Sequence, residues 1–132
     1  MVNRVEAFIR MWLSQPLRNL RDMKNKRHGN VSFTVEYSGE SGHTTLYSYA
    51  EPIARMFWRP AEGLITTKVW VTDRRFSMTT SRHVSHVLRH TPANWVVRSS
   101  KCPDSYDAML VAQDAMLEQR PAHPKSLFEE KP

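Results

Sequence analysis

The apolar residues of this chain change period twice, and each change marks a boundary between kinds of element. Val5, Phe8, Ile9, Trp12 and Leu13 recur at steps of three and four, which gathers them on one face of a helix. Asn3 precedes them as a cap, with Glu6 three residues on to complete a capping box, so a helix is expected over 3–14. Pro16 suits the first turn of a second, shorter helix that turns Leu17, Leu20 and Met23 inward, sets Arg18, Arg21 and Lys24 on other faces, and stops at Gly29. The run from Lys24 to His28, with Lys26 and Arg27, is the densest cationic stretch and suits a solvated helix end, where positive charge complements the dipole.

The period then becomes two. Val31, Phe33, Val35 and Tyr37 alternate with Ser32, Thr34 and Glu36, the pattern of a half-buried antiparallel strand. Turn residues at 38–43 return the chain through Thr44 to Tyr49 as a hairpin. Ile53 to Trp58 and Leu64 to Val71 read as two more strands, and Thr72-Asp73-Arg74-Arg75 turns into a short fifth, Phe76 to Met78. Pro52 restricts its strand to edge pairing or a bulge. Thr79, Thr80 and Ser81 offer caps for a helix over Arg82 to His90, stopped by Thr91-Pro92. Trp95 to Arg98 suits a further edge strand, and a last helix opens at Asp104 or Ser105, with Tyr106, Met109, Leu110, Met116 and Leu117 as its inward stripe.

The expected fold class is therefore α+β: an antiparallel sheet of four to five strands packed with N-terminal, central and C-terminal helices. One globular domain spans 1–119, with a basic helical region at 1–28, the sheet at 31–78, and helices at 81–90 and 105–119; a Pro-rich tail, 120–132, is expected to be disordered. The core is expected to bury Phe8, Trp12, Phe33, Val35, Val69, Val71, Val84, Leu88, Leu110 and Leu117.

Composition narrows the function more by exclusion than by assignment. A chain of 132 residues with 40% hydrophobic content suffices for one core. Cys102 is the only cysteine, which rules out an intrachain disulfide and a multi-cysteine zinc cluster. No apolar run approaches the roughly 18 residues of a membrane span, so neither membrane insertion nor secretion is expected. The net charge of +6 is lopsided: residues 1–30 hold seven basic and two acidic side chains, 31–100 eight and five, and 101–132 four and six. That field favours an anionic partner.

The densest polar constellation is Thr79-Thr80-Ser81-Arg82-His83, with His86, Arg89 and His90 further along the same helix. Cations in a first helical turn oppose the macrodipole. A phosphate held by backbone N–H groups, hydroxyls and the Arg82 guanidinium would resolve the conflict; a plain cap with Arg82 extended into water is the other reading. His83, His86 and His90 at helical spacing suggest either a metal site or exposed surface histidines, and no cysteine or acid in the segment completes a ligand set. No metal and no cofactor are expected. Tyr47, Tyr49, Trp58-Arg59 and Trp70 set aromatics beside cations, as a single-strand stacking platform would, or they pack beneath helices, with Trp70, on the Lys68 face, the one to watch. Cys102 precedes a proline and the carboxylates are scattered, so no catalytic residues and no enzyme are expected.

The stretch Leu46 to His90 resembles a family of small uncharacterised proteins encoded by bacteriophages and related mobile elements. Two blocks carry it: Tyr47-Ser48-Tyr49 through Pro52-Ile53-Ala54, similar to a Y-S-Y-x-x-P-I-A pattern, and Thr72 through His83, similar to a strand followed by S-x-T-T-S-x-H. The resemblance implies a phage origin and the cytoplasm of an infected bacterial host, and no activity. The expected role is a non-enzymatic accessory protein binding nucleic acid or another phosphate-bearing ligand. The ligand residues would be Arg74, Arg75, Thr79, Thr80, Ser81, Arg82, His83 and Arg89, assisted by an N-terminal patch of Arg18, Arg21, Lys24, Lys26 and Arg27. The alternative is an inhibitor that binds a host protein or defence complex.

Overall fold

Most breaks in period become reversals of the chain in the computed structural model, which describes residues 3–14, 24–38, 41–61 and 64–118. Helix α1 spans Arg4–Ser14, and the Asn3 side-chain oxygen accepts the backbone N–H groups of Val5 and Glu6 at 3.0 and 3.2 Å, the expected cap. The helix read from Pro16, with Arg18 and Arg21, and the tail 120–132 lie outside the described residues.

The cationic run is not a helix end. Lys26–His28 forms strand β1, and Gly29 (φ 60) with Asn30 makes a two-residue reversal into β2, Val31–Ser38. A tight hairpin turn of that length calls for positive φ, which glycine adopts without a Cβ clash. The sheet continues through β3 (Ser41–Ser48), β4 (Glu51–Ala61) and β5 (Leu64–Thr72), each antiparallel to the one before. Phe76 to Met78 is not a strand: Met78 opens helix α2, Met78–Arg89. This helix crosses back over the sheet, and through a short 3-10 turn the chain enters β6, Val96–Ser99, parallel to β5. The six-stranded sheet, in sequence order, is thus mixed rather than wholly antiparallel, because a helical crossover returns the chain to the starting end of β5. Helix α3, Tyr106–Glu118, closes the order.

Pro52 sits inside the sheet because the strand bulges there. Leu46 pairs with Ala54 and Tyr47 with Pro52, leaving Ile53 as the extra residue. On one face α1 and α2 cover the sheet, and Ile9, Trp12, Leu13, Phe33, Leu46, Met56, Val69, Val71, Val84 and Val87 form the main core. The Trp12 indole N–H donates to Thr44 Oγ1 at 2.8 Å. Gly42 leaves room for Trp58, since a Cβ there would meet both the indole and the Glu36 carbonyl oxygen at 2.6 Å. On the opposite face α3 covers Phe57, Trp70 and Val97 with Met109. Trp70 is buried beneath α3, and Trp58 is buried against Gly42 and the Tyr37 ring, so neither offers a stacking surface; the Trp70 N–H donates to Ser99 Oγ at 3.0 Å.

Of the ten residues expected in the core, Trp12, Phe33, Val69, Val71 and Val84 are buried and Phe8, Val35, Leu88 and Leu110 half-buried. Leu117 is 50% exposed. Helix α3 turns Tyr106 and Met109 inward as expected, but Ala112 joins them on that face, and Leu117 points away from the sheet. No helix among the described residues is long and apolar enough to cross a membrane.

Candidate nucleic-acid interface

Helix α2 begins earlier than its run of hydroxyls suggests. Ser77 is the cap: its hydroxyl accepts the Thr80 backbone N–H at 3.3 Å. Thr79, Thr80 and Ser81 are then inside the helix and Arg82 and His83 lie in its second turn, where the dipole's effect has faded. The conflict that called for an anion at residues 81–83 is absent, since the first turn holds no charged side chain.

Two members of the expected site turn inward. Thr80 and His83 are buried, and both meet Ser48 at the end of β3, whose hydroxyl lies 2.9 Å from Thr80 Oγ1 and 2.7 Å from His83 Nδ1. Burial pushes the His83 imidazole below its ordinary pKa, with the neighbouring His86 charge acting the same way. His83 is therefore held neutral as a hydrogen-bonding group that fastens α2 to the sheet.

The far end of α2 is fastened by charge. Glu6 of α1 receives His90 Nε2 at 2.6 Å and an Arg89 N–H at 3.1 Å, and His86 Nδ1 lies 3.6 Å away, within ion-pair but beyond hydrogen-bond distance. The hydrogen bond from His90 holds the Glu6 carboxyl below its ordinary pKa, reinforced by the charges of His86 and Arg89 and opposed by desolvation. Arg89 is thus exposed but ion-paired with Glu6, at the end of α2 away from the other expected ligand residues. The three histidines do not converge, as His83 faces Ser48 while His86 and His90 face Glu6. Among the described residues, no group of three His, Cys, Asp or Glu side chains is arranged to hold a metal. Cys102 is half-buried, its thiol pushed above the ordinary pKa by desolvation, which opposes thiolate chemistry.

The remaining expected residues stay outside. Arg74, Arg75, Thr79, Ser81 and Arg82 are exposed; the Arg74 guanidinium lies over the Phe76 ring at 5.3 Å and an Arg82 N–H points to Met78 Sδ at 3.8 Å. Lys24, Lys26 and Arg27 are also exposed, on and before β1.

The register shows how these cations assemble. β1 ends, β2 begins, β3 ends, β4 begins, and β5 and β6 end at one margin of the sheet. That margin carries Arg27, Arg74, Arg75 and Lys101, with Arg82 above on α2, against the carboxylates Glu51 and Asp73. Of the described arginines and lysines, only Arg59 and Arg89 pair with a carboxylate, so the five cations of the margin are uncompensated at contact distance.

Two residues of consequence, Glu6 and Ser48, carry no local signal of their role, and for a third, Tyr49, only its backbone conformation goes unsignalled. Glu6 reads in the sequence as a capping residue, and its partners lie 80 to 84 positions away. Ser48 was one strand residue among several. Tyr49, in the two-residue turn between β3 and β4, adopts φ 58 and is 55% exposed; glycine or asparagine is the usual signal for that conformation.

No curated protein and no solved structure matches the chain. A family model does, over residues 18–101, the stretch that contains all six strands, α2 and the basic margin but neither α1 nor α3. By that match the chain belongs to a family of unknown function, DUF8033.

Proposed function

We propose that this protein is a non-enzymatic binding module that engages nucleic acid, or another phosphate-bearing ligand, through the basic margin of its sheet. The observation that carries the reading is the gathering of Arg27, Arg74, Arg75, Arg82 and Lys101 at one margin without an ion-pairing carboxylate. Cations that are neither neutralised nor buried leave a field available to phosphates, whose binding releases condensed counterions. The resemblance of the Y-S-Y and T-T-S-x-H blocks to phage-encoded proteins supports a phage accessory role in the cytoplasm of an infected bacterium. Ser48 of the first block and Thr80 and His83 of the second hydrogen-bond to one another, so these blocks together set the position of α2 beside the margin.

Retention on a mixed DNA and RNA resin tests the reading. The protein should elute at rising salt, and Arg74→Glu with Arg75→Glu should abolish retention while leaving the fold intact. Retention unchanged by that double reversal would refute the assignment of the margin.

One observation favours a protein partner instead. Helix α3 exposes Val111 (68%) and Leu117 (50%) on its outer side, outside the family match. If a host protein or defence complex is the target, a nuclease-treated lysate should yield it in stoichiometric amount, and Val111→Asp should release it while Arg75→Glu does not.

A further inference from the structure

Resting on the basic margin as the binding surface, we infer that its ligand is single-stranded nucleic acid, held by stacking of a base on Tyr49. Tyr49 occupies the first position of the tight turn between β3 and β4 in the left-handed region, φ 58. A bulky non-glycine residue there is strained, and such strain collects at functional positions. Nothing in the turn itself requires an aromatic ring, since more than half of Tyr49 faces solvent.

The ring is nevertheless held. Its hydroxyl oxygen accepts the Asn30 side-chain N–H at 3.1 Å, and its backbone N–H donates to the Asn30 carbonyl at 2.7 Å. The two neighbouring hairpin turns thus brace one exposed aromatic at the margin, and Asn30 acts as a positioning residue.

The cations flank it in sequence order across the sheet. Arg27 comes from β1 on one side of the turn; Arg74 and Arg75 follow β5 and Lys101 follows β6 on the other. At the usual strand spacing they span about 24 Å, enough for a backbone of several nucleotides to cross the margin. Stacking needs an accessible base face, which a duplex keeps inside its own stack, whereas single-strand binders combine a cationic track with aromatic platforms. Duplex reading would require a helix or two-stranded ribbon standing proud of the surface. Here α2 is drawn down onto the sheet by the hydrogen bonds of Ser48 to Thr80 and His83.

The test is fluorescence anisotropy of the full chain with labelled oligothymidylate and oligouridylate of about 12 nucleotides, within single-strand site sizes, beside a blunt duplex of matched length. The expected result is tighter binding of a single strand than of the duplex. Tyr49→Gly, which suits the left-handed turn, should keep the fold by circular dichroism yet weaken single-strand binding by about 5- to 150-fold without changing the salt slope. Tyr49→Phe should retain most of the affinity. Equal affinity for duplex and single strand, with Tyr49→Gly binding as the parent does, would overturn the stacking inference and leave the basic margin standing. Failure to bind any of the three probes at low salt would overturn both.

Discussion

Arg82-His83 and Arg89-His90 are the same dipeptide, seven residues apart on one helix, and the fold treats them differently. At the second, both side chains close on the Glu6 carboxylate of α1. At the first, His83 turns down to Ser48 and the Arg82 guanidinium remains outside, near Met78. Two turns of helix bring the residues back to nearly the same face, so the helix itself does not separate them. What differs is the neighbour: α1 brings Glu6 to the C-terminal end of α2, while the N-terminal end overlies the finish of β3. The comparison teaches that charge counted along a sequence is not charge available to a ligand.

Removing Ser48 should break this arrangement most severely. Ser48→Ala strands the buried His83 Nδ1, at a cost of about 1 to 3 kcal/mol, while Thr80 keeps the Ser77 hydroxyl at 3.4 Å. Chemical denaturation should show a loss in that range, and a change under 0.5 kcal/mol would mean the cluster does not fasten α2.

Acid should loosen the two ends at different pH. His83 has a folded pKa below its unfolded value near 6.5. Its contribution is complete above that pH and is lost as pH falls through the interval down to the folded value. His43, lowered chiefly by burial, acts in the same sense. Glu6, with a folded pKa below 4.5, contributes above 4.5 and loses its contribution only as pH falls toward the lower folded value. Thermal midpoints between pH 7 and 5 should therefore decline in the parent, and His83→Gln should flatten that slope. Glu6→Gln should lower the midpoint at pH 6 and converge on the parent in stronger acid. A gap between parent and Glu6→Gln that widens below pH 4 would contradict the Glu6 account.

The smallest effect on stability belongs to the exposed cation. Arg82→Ala should change unfolding free energy by less than about 0.5 kcal/mol, as surface substitutions usually do. A larger loss would show Arg82 to be a structural residue rather than a free one.

Much of this frame was legible in the sequence, because local patterns decide it. The Asn3 cap, the alternation from Val31 to Tyr37, the restriction of Pro52 to an edge or a bulge and the C-terminal helix each follow from a few adjacent residues. The failures have a common physical source in competing local solutions. Ser77, Thr79, Thr80 and Ser81 can all cap a helix, and packing of Thr80 and His83 on Ser48 selects Ser77. Lys26 to His28 is too short and too charged to declare a strand, and only pairing with Val31 to Phe33 makes it one. Trp70 faces Lys68's side of the sheet, as alternation requires, but α3 covers that side. At the site, Arg74, Arg75 and Arg82 were identifiable as surface cations from composition alone. The burial of His83 and the pairing of Arg89 depend on residues 35 and 83 positions away.

The central claim is that the sheet margin, rather than net charge at large, binds the anionic partner. It is tested most directly by titrating a labelled oligonucleotide over a range of salt with two variants of equal charge change: Arg75→Glu, at the margin, and Arg10→Glu, an exposed arginine beside Leu13, His90 and Trp95. Arg75→Glu should weaken binding and reduce the slope of log affinity against log salt by about 1, with Arg10→Glu close to the parent. Equal losses in the two variants would mean that the charge acts diffusely and would contradict the account.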